Sequence, residues 1–322
     1  MRAILHDRFG PPDVLELREI DEPRAGDGEV LVRVRAASVN PADWYAMMGV
    51  PYVARIQMGL RRPRTNRPGL DLAGVVAAVG GNVTRFQPGD EVFGTGTGTL
   101  AEYVAVAEDA LVLKPANLSF EQAGAVPVAA LTALQGLRDK GRVQPGQQVL
   151  VNGASGGVGT FAVQLAKARG AEVTAVCSTR NVDMARSLGA DRVIDYTRED
   201  FTRDERRYDL LLDVAGSRPW SACRRVLAPR ARLVLVGAPK GSRLLGPLGH
   251  IGKVGLASLP ASQKVAFFIS KSSREDLTTL RELLEAGTVT PVVERSYPLP
   301  EAADAFRHLG EGHAQGKLAV IV

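Results

Sequence analysis

The sequence predicts an α/β protein with a β-rich domain at the front of the chain and a doubly wound parallel sheet behind it. Three observations carry that prediction. Up to about residue 115 the apolar runs are short and alternate with charged residues, as in EVLVRVRA at 29–36, the pattern of half-exposed strands. After Pro145, continuous apolar runs alternate with helical ones, which requires a parallel sheet covered on both faces. Glycines at 153, 156 and 159 separate a buried strand from a helix.

Taken in order, strands are expected at 3–5, 15–20 and 29–36, with turns at GPPD (10–13), GDGE (26–29) and QPGDEV (87–92) and a short helix at 44–48. The front part reads as antiparallel. At 119–137, SFEQAGAVPVAALTALQGL gives a serine N-cap, a helical run, a proline break and a second helical run. The alternating part then reads strand 147–153, helix 157–170, strand 171–178, helix 182–190, strands 192–196 and 208–216, helix 220–228 and strand 231–238. A strand-like run at 264–270 and a helix at 273–287 follow. The tail, a strand-like run at 288–299, a helix at 300–312 and a strand at 317–322, resembles the front domain, so the chain is expected to return to it. The expected division is 1–118 for the front domain, 119–262 for the parallel-sheet domain, and 263–322 for the last sheet elements and the return.

Lys and Arg exceed Asp and Glu by 40 − 35 = 5, an excess that suits an anionic cofactor or a solvated surface better than a nucleic-acid groove. No run approaches the ~18–20 apolar residues of a membrane span. The N-terminal segment lacks the pattern of a secretory signal, and the two cysteines, Cys177 and Cys223, are far apart. A cytoplasmic protein with neither nucleic-acid nor membrane partner is expected.

VNGASGGVGT at 151–160 is the centre of the functional reading. Gly153 supplies a tight turn, Gly156 leaves room for a pyrophosphate, and Gly159 permits close helix contact. Ser155, Gly157 and Val158 complete the loop, and the helix N-terminus behind it favours an anion. The same residues spell the G-x-S-x-G of a hydrolase nucleophile elbow around Ser155. Against that rival, the front is β-rich and no oxyanion segment precedes the serine. At the end of the second strand, CSTRN (177–181) has no acid to bind a ribose 2′-OH. Ser178, Thr179, Arg180 and Asn181 offer hydroxyls, an amide and a guanidinium instead, so NADPH is expected over NADH.

The runs AASVNPADWY (36–45), RPGLDLAGVVAAVG (67–80), QPGDEVFG (87–94), GTLAEYV (98–104), AVPVAALTALQGL (125–137), the glycine loop, LGADRVIDY (188–196) and GKLAVIV (316–322) together resemble the medium-chain dehydrogenase/reductase superfamily, in its zinc-independent quinone oxidoreductase branch. The resemblance runs nearly end to end. It implies a GroES-like catalytic domain joined to a Rossmann domain, and the family's sheet edges often pair into homodimers. Zinc members carry a metal-binding Cys where this chain has Asn40, a His-Glu pair where it has Leu70-Asp71, and a hydroxyl relay where it has Ala42. No metal site is therefore expected.

By the same resemblance Asn40 and Tyr45 match residues lining the active cleft of the quinone oxidoreductases, as catalytic candidates. Asn40 can donate from its amide and Tyr45 from its phenol; from the residues alone, Asn40 equally serves as a helix cap and Tyr45 as a wall residue. Asp43 and Asp71 read as structural. Thr132, Tyr196, Gly216, Gly237 and Lys317 join the cofactor candidates. Segments 51–63 and 241–260 read as loops lining the cleft. The implied activity is hydride delivery from NADPH to a hydrophobic electrophile, a quinone or an α,β-unsaturated carbonyl. The alternatives are a 2-enoyl-thioester reductase and a dinucleotide-binding regulatory or scaffold protein.

Overall fold

The computed structural model describes residues 1–237 and 247–322. The chain forms two compact units, Met1–Leu131 with Ser272–Val322, and Thr132–Lys271. The first stretch contains strands β1 (Arg2–Leu5), β2 (Glu16–Glu19), β3 (Glu29–Ser38), β4 (Asp71–Val79), β5 (Glu91–Thr95), β6 (Tyr103–Ala107) and β7 (Leu111–Leu113), with helices α1 (Pro41–Met48), α2 (Arg55–Met58) and α3 (Phe120–Gly124). Helix α4 (Pro127–Gln135) carries the chain onward. The second unit holds β8 (Gln148–Asn152), α5 (Gly157–Ala168), β9 (Glu172–Cys177), α6 (Val182–Ser187), β10 (Arg192–Asp195), β11 (Tyr208–Asp213), α7 (Trp220–Cys223), β12 (Leu227–Leu235), α8 (Pro247–Ser258) and β13 (Lys264–Phe267). The return consists of α9 (Arg274–Glu285), β14 (Val293–Pro298), α10 (Ala302–Glu311) and β15 (Lys317–Ile321).

In the first unit, β1 and β2 pair separately, and the main sheet runs β14-β15-β3-β4-β5-β7 with β6 also on β3. It is not wholly antiparallel, because β14 and β15 pair in parallel across the connection made by α10. Alternation along β3 buries Val30, Val32 and Val34, which meet Leu72, Val104, Leu318 and Phe306. Each such side chain contributes roughly 1.5–3 kcal/mol on burial. α10 buries Ala302, Ala305 and Phe306 at helical spacing and stops at Gly312, whose φ of +80° is the left-handed cap that glycine favours. The junction between the units falls beyond the 118/119 division read from the sequence, since α3 packs on β3 and β4.

The second unit is a parallel sheet in the order β10-β9-β8-β11-β12-β13. The order reverses between β8 and β11, so the crevice for a ligand opens outside the carboxyl ends of those strands. α5 buries every residue from Gly159 to Ala166, as a helix apolar on most sides must. The helix expected at 220–228 is only the four residues of α7 before a tight turn, because Leu227 already pairs with Tyr208 as the start of β12. Both segments read as loops contain helices. Arg55–Met58 is α2, and α8 occupies Pro247–Ser258 with Val254 in the core and Ile251 packed against it; residues 241–246 lie outside the described residues.

Candidate functional site

The loop from β8 to α5 has the form its glycines dictate. Gly153 has φ +84°, a conformation strained for other residues. A Cβ on Gly159 would collide with the Gly153 carbonyl oxygen, whereas a Cβ on Gly156 would meet nothing nearer than that oxygen, at 3.7 Å. Gly153 and Gly159 therefore hold the loop against itself, and Gly156 leaves open space at the N-cap of α5, where Gly157, Val158 and Gly159 begin the helix. The first N–H groups of a helix have no partner within it, and the helix end is partly positive. Ser155 is not in a left-handed conformation: among the described residues only Arg142 and Arg230 combine a side chain with positive φ. The strained turn of a nucleophile elbow is absent there.

Polar bonds the sequence did not advertise tie this loop to its neighbour. Asp213, buried at the end of β11, accepts at one oxygen from Asn152 Nδ2 and from the Gly216 N–H, both at 2.7 Å. The Val214 and Ala215 N–H groups donate to the Asn152 carbonyl. Burial pushes the Asp213 carboxyl above its usual value. Gly216 turns with φ +59°, and a Cβ on Gly237 would strike the Val214 carbonyl oxygen. These glycines thus let three strand ends converge at one edge. The signal for Asp213 in the sequence was a carboxylate closing an otherwise apolar run.

At the neighbouring strand ends, Ser178 to Asn181 form a turn after β9. Arg180 is exposed and Ser178 partly so. Thr179 donates from its hydroxyl to Asp195 at 2.5 Å, and that bond holds the Asp195 carboxyl below its ordinary value. Asn181 is buried, and one of the two amide hydrogens on its Nδ2 goes to Ser178 Oγ at 3.1 Å. Its Oδ1 is buried without a hydrogen-bond partner. Tyr196, 49% exposed, follows β10 at the same edge. Thr132, in α4, donates from its hydroxyl to Ser270 at 2.8 Å.

The first unit carries a buried polar cluster. The β3–β4 register pairs Ser38 with Asp71, and β15 lies on the other side of β3. Asp71 Oδ2 accepts from Ser38 Oγ at 2.6 Å, Asn40 Nδ2 at 2.9 Å and Lys317 Nζ at 3.2 Å, while Oδ1 accepts from the Val128 N–H at 2.7 Å. Lys317 also donates to Asn40 Oδ1 at 2.5 Å and to the Val39 carbonyl at 3.2 Å. An ammonium has three donors, and all three are used. Lys317 is 4% exposed with no donor left for a cofactor, which corrects the cofactor role that the resemblance implied for it and equally excludes a solvated surface lysine.

Asn40 caps α1 and its N–H donates to Asp43 Oδ2 at 2.9 Å; Asp43 Oδ1 accepts from the Gly69 N–H at 3.1 Å. Tyr45 lies on α1, half-buried and edge-on to Trp44 at 5.3 Å between ring centres. Burial raises its phenol, so it keeps its proton at neutral pH.

Burial, then the charge of Asp71, raises the Asp43 carboxyl to about 7, against the opposing pull of its N–H donors and Lys317. The folded protein thus holds this proton after the unfolded chain has lost it. Stability from this group is complete below about pH 4 and is lost as the pH rises to about 7. Thermal unfolding is expected to give a higher Tm near pH 5 than near pH 8, with a smaller difference in Asp43→Asn. An equal difference in both proteins would show that Asp43 does not titrate in this range.

Residues 188–320 match the family described as zinc-binding dehydrogenase, and residues 26–116 match the alcohol dehydrogenase GroES-like domain. A chloroplastic quinone-oxidoreductase of Triphysaria versicolor is 31% identical over 99% of this chain and 98% of its own. The chloroplastic NADPH-dependent alkenal/one oxidoreductase of Arabidopsis thaliana is 34% identical over 99% of this chain and 79% of its own. The structure of Escherichia coli quinone oxidoreductase complexed with NADPH is similar along the whole of both chains, with a TM-score of 0.84 at 27% identity.

Proposed function

Because the chain belongs to the medium-chain dehydrogenase/reductase superfamily, in its quinone oxidoreductase-like branch, we propose that it reduces a quinone or an α,β-unsaturated carbonyl compound with NADPH and without a metal. It is an oxidoreductase that uses a nicotinamide cofactor. The finer reading rests chiefly on one observation, the ammonium of Lys317 seated on Asn40 and Asp71. By the resemblance, Asn40 stands where zinc members carry a metal-binding Cys and Asp71 stands in the place of their His-Glu pair, and a divalent cation would have to displace a buried ammonium to reach these oxygens. Among the described residues no group of three or more His, Cys, Asp or Glu is placed to hold a metal. Zinc does not fit this donor set, so the acceptor must already be polarised, as conjugation makes it.

The cofactor does fit. The space beside Gly156 and the N-terminus of α5 suit a pyrophosphate. Ser178 and Arg180 would hold a 2′-phosphate, and exposed Tyr196 would cover the adenine side. When bound, the reduced nicotinamide supplies a hydride. The protein's part is to orient the acceptor and stabilise the oxygen on which charge gathers. Asn40 would donate its second amide N–H, which lies by the Asp43 carboxyl, and Tyr45 its phenolic proton.

NADPH consumption, measured with quinones, enones, enoyl thioesters and simple alcohols, tests this reading. Quinones and enones are expected to turn over and alcohols to be inert, with Tyr45→Phe lowering enone kcat about a hundredfold. Preference for enoyl thioesters would favour the thioester reductase, and no turnover at all a binding protein. Full activity in Tyr45→Phe would leave that ring only as a wall.

A further inference from the structure

The cluster around Lys317 does more than neutralise a buried carboxylate. A carboxamide presents two unlike ends, a carbonyl that accepts and an NH₂ that donates, and a half-turn about its last bond exchanges them. In Asn40 both ends are claimed. Lys317, which can only donate, faces Oδ1 at 2.5 Å, and the Asp71 carboxylate, which accepts, faces Nδ2 at 2.9 Å. Reversing the amide would set ammonium against NH₂ and carboxylate against carbonyl, in a place where Asn40 is 2% exposed, Asp71 0% and Lys317 4%. No water would be at hand to compensate either group. Lys317 and Asp71 are themselves anchored, by the Val39 carbonyl on one side and by Ser38 and Val128 on the other, so neither can swing to follow a turned amide.

We propose that Lys317 and Asp71 are positioning residues that fix the polarity of the Asn40 amide, reserving its second N–H for the acceptor oxygen on which charge develops in the reaction. The proposal rests on the reading of Asn40 as that donor. Without Lys317 the carbonyl end loses its charged partner and only Asp71 opposes reversal, so a larger share of the molecules offers the oxygen a lone pair instead of a proton.

Four proteins test it: wild type, Asn40→Ala, Lys317→Met and the double variant, each with kcat, KM for NADPH and for a quinone, and Tm. Lys317→Met is expected to lower kcat at least about tenfold with KM for NADPH unchanged, less than the roughly 10²–10³-fold of deleting a donor outright. In the Asn40→Ala background the same change should alter kcat by less than about twofold, since nothing remains to orient. The same large factor in both backgrounds would overturn the proposal, because Lys317 would then act independently of Asn40. Wild-type kcat in Asn40→Ala would instead overturn the donor reading beneath it. Should Lys317→Met not fold, Lys317→Gln, neutral but still a donor toward Oδ1, carries the test. It should recover most of the kcat, whereas a Gln variant with native Tm and kcat down tenfold would sink the proposal.

Discussion

Replacing Gly156 by valine is expected to leave the protein folded while weakening NADPH binding about a hundredfold or more. The two effects separate because of where this glycine stands. Its backbone, at φ −82° and ψ 174°, is extended and suits any residue, and a Cβ there meets no atom closer than 3.7 Å. The change costs the fold about 1 kcal/mol for a poor N-cap, a shift of a few degrees in Tm. The added methyl groups instead fill the space in front of α5 that a pyrophosphate needs. Gly159→Val should behave oppositely, since its Cβ would strike the loop itself, and stability and binding should fall together. Circular dichroism melts and cofactor titration distinguish the two. Unchanged NADPH affinity in Gly156→Val would place the phosphates elsewhere.

Removing the Arg180 side chain is expected to weaken NADPH binding by about 10- to 100-fold, the worth of one or two charge-assisted hydrogen bonds to phosphate, while leaving NADH within about threefold. Arg180 is exposed at the turn after β9. Asp195 stands on the next strand, bonded to Thr179, and its carboxylate opposes a 2′-phosphate brought near. The selectivity of the wild type should therefore fall as salt is added, because exposed charges are screened. Calorimetric titration of both cofactors at two salt concentrations measures this. Equal affinity for NADPH and NADH, indifferent to Arg180→Ala, would mean that this turn does not select the cofactor.

What could be read from the sequence was local. Glycine spacing sets the β8–α5 turn within a few residues, and the strand and helix periods expose the parallel sheet, because each pattern is complete in one stretch of chain. The buried cluster was hidden for the opposite reason. Lys317 is 277 residues from Asn40 and 246 from Asp71, and only the β15-β3-β4 ladder brings them together. A lysine ending a loop looks solvated until the sheet closes over it. At shorter range, Asn181 sits beside exposed Arg180, yet the turn points its amide to Ser178, which the sequence does not show. Asp195 carries no such signal in the sequence, because it closes β10, one ladder away from β9, whose end offers the 2′-contact.

Direct hydride transfer without a metal is most directly tested by following deuterium. Protein stripped of metal is given NADPH deuterated at C4 together with an α,β-unsaturated ketone, and the product is examined for label at the β-carbon. The expected result is full transfer at an undiminished rate with metal far below the protein concentration. Transfer that stops on stripping and resumes only when zinc is restored would contradict the assignment.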